Sequence, residues 1–182
     1  RDPEMSRGLG DVYKRQALNI LLYAANKLKN TKAYFVLVGQ GQEKENLVAL
    51  AQKLGLDNVL FLPSIPKKMV PAFLTKMDVL YIGWQNKPIY RFGISPNKLM
   101  DYMMAGKPIL HSVTAGNDLV QEAHCGISVP AEDVDAVAEA AKKLMLMNKA
   151  ELSALGANGK EYVTKHHDYK ILAEKFIEWL EK

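Results

Sequence analysis

The sequence holds one cysteine, Cys125, which excludes a disulfide framework and a four-cysteine zinc site. It holds no run of about 18 apolar residues, so no helix long enough to span a bilayer is encoded. It also lacks a block of five basic residues, and aromatics make up only 8% with no interleaving of arginine, so a nucleic-acid partner is not expected. The first residues carry no apolar core of a secretory signal, and scarce cysteine fits a reducing compartment, so the expectation is a cytoplasmic chain. No nucleophile-elbow pattern is present for Ser/His/Asp catalysis.

The 182 residues are 48% hydrophobic and 24% charged, with a net charge of +4. That bounds the chain to one domain, or two small ones, with enough core to fold alone. Residues 1–16 (RDPEMSRGLGDVYKRQ) stand apart, because they show no apolar period and their DVYKRQ end resembles a translated sequencing-library adapter. They are expected to be a non-native segment, with a natural disordered terminus as the alternative. Without them 20 basic and 17 acidic side chains remain, a net of +3.

From residue 17 onward strands alternate with helices. Ala17–Leu28 carries Leu18, Leu21, Leu22, Ala25 and Leu28 at helical spacing. Tyr34–Val38 is a continuous apolar run, as in a buried parallel strand, and Gly39-Gln40-Gly41 ends it. The spacing then predicts a helix over Glu43–Leu54, a strand over Val59–Leu62, a short helix over Lys68–Lys76 and a strand over Val79–Gly83. Beyond a loop at Trp84–Ile94 come a helix at Pro96–Ala105 and a strand at Pro108–Val113. A short helix at Asp118–Ala123 and a strand at Gly126–Val129 follow, then helices at Val134–Met147, Lys149–His166 and Tyr169–Glu181. This is α/β alternation, and it implies a Rossmann-like, doubly wound parallel sheet. The first helix has no native-looking strand ahead of it, so the expected domain spans 17–182 with its first strand lost or replaced. Such a loss would bare the edges of the strands on either side.

The stretch Tyr90–Pro108, YRFGISPNKLMDYMMAGKP, concentrates the chemistry. Ser95 is a good N-cap and Pro96 suits the first helical position, which would put Asn97 second and Lys98 third. A lysine in a first turn opposes the helix dipole by about 0.3–1 kcal/mol. Free N–H groups beside a lysine form a ready anion site. The bland alternative is an ion pair between Lys98 and Asp101 at i,i+3.

FGISPNKLMDYMMAGKPIL resembles the signature region of family 4 glycosyltransferases, retaining enzymes of the GT-B fold. It is most similar to the branch of bacterial surface-polysaccharide enzymes, the O-antigen and capsule amino-sugar transferases. VLVGQGQEKENLVALAQKLGLDNVLFL, MVPAFLTKMDVLYI and AGNDLVQEAHCGISVPAEDVDAVAEAA extend the likeness in order and spacing. The resemblance implies the C-terminal, donor-binding half of such an enzyme, the acceptor domain being absent. It implies that Gly39 and Gly41 lie beside the donor phosphates and that the backbone of Leu62-Pro63-Ser64 meets the nucleobase. Ser95, Pro96, Asn97 and Lys98 at the helix start would hold the diphosphate, Gly93 and Ile94 would belong to the donor-binding loop, and Asp101 would hydrogen-bond the ribose. The implied partners are a nucleoside diphosphate sugar, with UDP favoured, and a lipid-linked or glycan acceptor. Peripheral membrane association of a full-length enzyme at the inner face of the cell membrane is implied too, with no cofactor and no metal.

One departure stands out. Where the family places its first glutamate, eight residues before Asp101, this sequence has Gly93, and no acid occurs from Val79 to Met100. Lys87, Tyr90 and Arg91 are the candidates to replace that contact, with Arg91 and Lys98 the possible stabilisers of a leaving diphosphate. The missing acid motivates an alternative function, a nucleotide-binding or interaction module without catalysis. A receiver-like module would want an acidic pocket where glycines and Lys98 stand.

Other signals read as structural. Asp133-Val134-Asp135 opens a helix behind Pro130 and reads as a cap rather than a metal motif. His111 reads as a packed, satisfied histidine. Gly116, Asn117 and Asp118 divide evenly between sugar contact and an N-cap. The apolar face of the last helix (Ile171, Leu172, Phe176, Ile177, Leu180) is expected to pack back across the fold.

Overall fold

The computed structural model describes residues 17–180; the expectation for residues 1–16 lies outside them. The chain runs α1 (Leu18–Lys27), β1 (Phe35–Val38), α2 (Gln42–Lys53), β2 (Val59–Leu62), α3 (Val70–Leu74) and β3 (Leu80–Gly83). It continues through α4 (Asn97–Met104), β4 (Ile109–Ser112), α5 (Leu119–Glu122), β5 (Gly126–Val129), α6 (Val134–Leu146), α7 (Lys149–His166) and α8 (Tyr169–Leu180). Short 3-10 turns at Lys67–Met69 and Pro88–Phe92 interrupt two of the connections. The elements match the expected ones to within one or two residues at most ends.

Among the described residues the strands form two parallel blocks. β1 pairs with β2, Phe35 opposite Val59, and β4 lies between β3 and β5, with Leu80 opposite Ile109 and Ile109 opposite Gly126. β1 and β3 do not pair with each other. α1 spans the interval. Its Leu21, Ala24 and Leu28 join Leu110, Val137 and Leu144, with Phe35 and Tyr81 packed alongside. Its Leu22 turns to Leu47 and Ala51 of α2. Leu22, Ala24, Ala25 and Leu28 have no exposed surface, and each buried leucine contributes on the order of 1.5–3 kcal/mol. An ion pair from Lys27 to Asp135 also joins α1 to α6.

Strand register sets the two faces of the larger block. Tyr81, Leu110 and Ile127 share one face, covered by α1 and α6. Ile82, Ile109 and His111 share the other, where Leu99 and Met103 of α4, Val120 and Ala123 beside α5, and Val163 of α7 pack. Helices on both faces of parallel strands make the expected doubly wound fold. α7 comes close to the turn after α4 because Gly156 has no side chain, and a Cβ there would collide with the Gly106 carbonyl.

The last helix departs from expectation. Phe176, Ile177, Trp179 and Leu180 of α8 are 52–80% exposed, and only Ile171 is half-buried. The periodicity predicts an apolar stripe correctly, but none of the described residues covers it.

Candidate functional site

In parallel α/β sheets the loops at the carboxyl ends of the strands carry the ligand. Here β1 runs into Gly39-Gln40-Gly41, and Gly41, at φ 142°, precedes α2. The ammonium of Lys44, in the first turn of α2, donates to the carbonyls of Gly39 at 3.0 Å and Leu62 at 2.7 Å. It thereby ties the glycine turn to the exposed Pro63-Ser64 loop. The sequence reading missed this lysine; its signal was a basic residue three positions past Gly41. Gln85, just beyond β3, lines a cavity of about 180 Å³ with Leu18, Asn19, Glu43 and Asn46. That places the ends of β1 and β3 on the same side of the molecule.

The loop from β3 to α4 is stitched across the ends of β4 and β5. The Trp84 amide donates to Ser112 O at 3.0 Å, and the Gly116 amide donates to Tyr90 O at 2.9 Å. Glu132, held at φ 62° in the β5–α6 turn, accepts the Asn86 amide at 3.0 Å. This brings a carboxylate to a loop that has none of its own, over a sequence separation that hid it. The Trp84 and Tyr90 rings meet edge to face at 5.0 Å, while Arg91 stacks its guanidinium over Phe92.

Asn117 makes the tightest stitch. Its Oδ1 accepts the Ile94 amide at 2.7 Å and its Nδ2 donates to the Ile94 carbonyl at 2.9 Å. Two bonds to one residue reproduce the pairing of a β-ladder. Gly93, next to it, sits at φ 97°, and a Cβ would lie 3.2 Å from Asn117 Oδ1. The conformation therefore favours glycine, and a Cβ would also crowd Asn117. Asn117 is therefore not the N-cap, one of the two roles its sequence context suggests. Asp118 beside it is the N-cap, accepting from the Val120 and Gln121 amides at 3.1 Å.

The helix carrying Lys98 starts one residue later than expected. Pro96, at φ −76° and ψ 128°, is extended and occupies the N-cap position itself, with no side-chain capping bond. Ser95 is therefore not the cap, and Asn97 and Lys98 are the first and second helical residues. A proline ring fixes φ but leaves ψ free, so the same residue fits either position. Among the described residues the Asn97 and Lys98 amides have no hydrogen-bond partner, while the Leu99 amide donates to Pro96 O at 2.9 Å. The Lys98–Asp101 ion pair does not form among the described residues. Lys98 is exposed, yet lost solvation from its surroundings lowers its pKa from the ordinary lysine value. Asp101 lies exposed one turn on.

Below the site, His111 is 2% exposed, and its Nδ1 lies 3.3 Å from Ser128 Oγ and 3.4 Å from Asp118 Oδ1. Burial raises the Asp118 pKa, but hydrogen bonds from His111, Ser128 and the Gln121 amide outweigh it and hold the group at about 2. His111 is packed as expected but not fully satisfied, since its buried Nε2 has no hydrogen-bond partner. Asp133 caps α6 through the Ala136 amide at 2.8 Å. Among the described residues no three His, Cys, Asp or Glu side chains converge as metal ligands. Cys125 is buried, and loss of solvation pushes its thiol up to about 12, which makes it inert.

The expected site residues therefore form two groups. Gly39, Gly41 and Ser64 sit on one sheet block, joined by Lys44. Gly93, Ile94, Ser95, Pro96, Asn97, Lys98 and Asp101 form one continuous segment on the other, with Arg91 on its approach.

Comparison with known proteins agrees with this architecture. The chain is 28% identical over 172 residues to an Escherichia coli K12 protein named as the colanic acid biosynthesis glycosyl transferase WcaI, covering 92% of this chain and 40% of that one. HepE from Anabaena, solved in complex with UDP, superposes with a TM-score of 0.75 at 17% identity, over 92% of this chain and 46% of that one. The C-terminal domain of a group 1 glycosyl transferase, LpcC from Francisella tularensis, superposes at 0.69 with 16% identity, over 86% of this chain and 82% of that domain. The chain spans about 40% of the length of the curated relatives it matches. Residues 8–162 match the family described as glycosyl transferases group 1, and the chain belongs to that family.

Proposed function

We propose that the chain is the donor-binding half of a retaining glycosyltransferase that moves a sugar from a nucleoside diphosphate sugar to a lipid-linked or glycan acceptor in cell-surface polysaccharide synthesis. The observation that carries this reading is the start of α4: a first turn without a side-chain cap, its Asn97 and Lys98 amides unpartnered, with a partly desolvated lysine that no carboxylate among the described residues neutralises, at the carboxyl end of the strands. Orphan amides and an unpaired cation together favour a diphosphate. Departure of that diphosphate would be assisted electrostatically by the first-turn amides and Lys98, with Arg91 close by in the loop. Asp101 is a double acceptor suited to ribose hydroxyls. UDP is the nucleotide we favour, since HepE, of like fold, was solved with UDP. The enzyme would work in the cytoplasm at the membrane face; no helix among the described residues is long and apolar enough to cross a membrane.

Titration calorimetry with pyrophosphate, UDP, GDP and uridine tests the reading. Binding of the three phosphate compounds, with uridine much weaker, is expected. Failure of all three would overturn it. Asp101→Asn is expected to weaken UDP and spare pyrophosphate, and equal losses would remove the ribose role.

A second reading, nucleotide binding without transfer, is favoured by the lack of any acid from Val79 to Met100. Glu132 reaches the Asn86 amide but is engaged there. Transfer assays on a longer protein that includes an acceptor-binding domain separate the two readings. Residues 17–182 alone are expected to turn over little or nothing.

A further inference from the structure

We infer that Asn117 is a positioning residue for the donor diphosphate, acting through Ile94 rather than by touching the ligand. This rests on the donor-binding reading of the α4 start. The two bonds from the Asn117 amide occupy both backbone groups of Ile94. The next amide, that of Ser95, has no hydrogen-bond partner among the described residues, and it stands directly before the uncapped turn that bears Lys98. In a paired, extended segment successive residues direct their N–H groups to opposite sides. Holding Ile94 toward the β4–α5 loop therefore turns the Ser95 amide away from that loop, toward the open side.

The neighbouring residues confirm that the two loops are fitted together. Gly93 could not carry a Cβ without strain and crowding against Asn117, and a Cβ on Gly116 would collide with the Arg91 carbonyl. Gly116 also donates its amide to Tyr90 O at 2.9 Å. The β4–α5 loop thus grips the segment 90–94 by backbone and side chain together. Asp118 anchors that grip from beneath, as it caps α5 and pairs with buried His111. The carboxamide is the one side-chain type of this length that supplies an acceptor and a donor in the required order. Aspartate would set an oxygen against the Ile94 carbonyl.

The test compares wild type and Asn117→Ala by hydrogen exchange and by calorimetry on the full chain. The Ile94 amide is expected to exchange faster in the variant, while amides of β4 and β5 stay protected. Pyrophosphate and UDP are expected to bind about tenfold more weakly, as for two lost hydrogen bonds, with uridine unchanged. A merely structural role would lower the thermal midpoint and leave the affinity of the folded protein intact. A freed Ile94 amide with unchanged pyrophosphate affinity would overturn the inference while leaving the donor-binding reading in place. If wild type binds no phosphate compound, the underlying reading falls, and this inference with it. Should Asn117→Ala fail to fold, Asn117→Ser, with one hydroxyl for two bonds, is expected to show the same selective loss. Asn117→Gln, carrying the same amide, is expected to recover part of it, and equal affinities for wild type, Ser and Gln would likewise overturn the inference.

Discussion

Asp118 shows how much one carboxylate can do at the residue scale. It caps α5, pairs with His111 and faces Ser128, and together these hold its pKa at about 2, against 3.8 for a free aspartate. A depressed carboxyl contributes stability that is fully present above its unfolded pKa and is lost as pH falls from there through about 2. The contribution is on the order of 2 kcal/mol. Asp118→Ala is therefore expected to be less stable than wild type at neutral pH, with the difference shrinking between pH 4 and pH 2. Urea titrations at several pH values check this. Of this constellation the sequence disclosed only the N-cap, as one of two options. Val120 is two positions away and legible, whereas His111 and Ser128 reach Asp118 through strand pairing. Asn117 and Ile94, 23 residues apart, meet between two loops, a contact that local spacing does not disclose.

At the scale of elements, the strands were legible because short apolar runs ended by Gly or Pro leave few alternatives. The start of α4 was placed one residue early because Ser-Pro-Asn-Lys satisfies the capping rules in either register. The stripe on α8 was read correctly, but periodicity says which residues share a face and not what that face meets. Two predictions belong here. Gly156→Ala is expected to cost several kcal/mol, because its Cβ meets backbone at the α7–α4 contact and neither side can yield cheaply. Trp179→Ser on α8 is expected to change the stability of this chain by less than about 0.5 kcal/mol, as for an exposed side chain. Chemical denaturation measures both.

At the scale of the whole molecule, the doubly wound order of elements is legible in the sequence, whereas Gly39, Gly41 and Ser64 are singled out only by the family resemblance. Among the described residues the strands fall into two blocks with α1 across the interval, next to the place where the sequence lacks a native-looking first strand. The site is divided along the same line: Lys44 organises the β1–β2 side, while Asn117, Gly116 and Glu132 organise the β3–β5 side. The donor-binding reading requires an anion to meet the second side at Lys98. Loss of solvation depresses that lysine, so the unfolded chain holds its proton more readily, and stability rises as pH climbs from the lowered pKa to the ordinary one. A bound anion would reverse the depression, so binding should take up protons at alkaline pH. The most direct measurement is calorimetric titration of pyrophosphate into wild type and Lys98→Ala at neutral and alkaline pH. The predicted result is an affinity about 1–3 kcal/mol weaker in the variant, as for a charged hydrogen bond, and a wild-type affinity that falls at alkaline pH toward that of the variant. Equal affinities in the two proteins at neutral pH would contradict it.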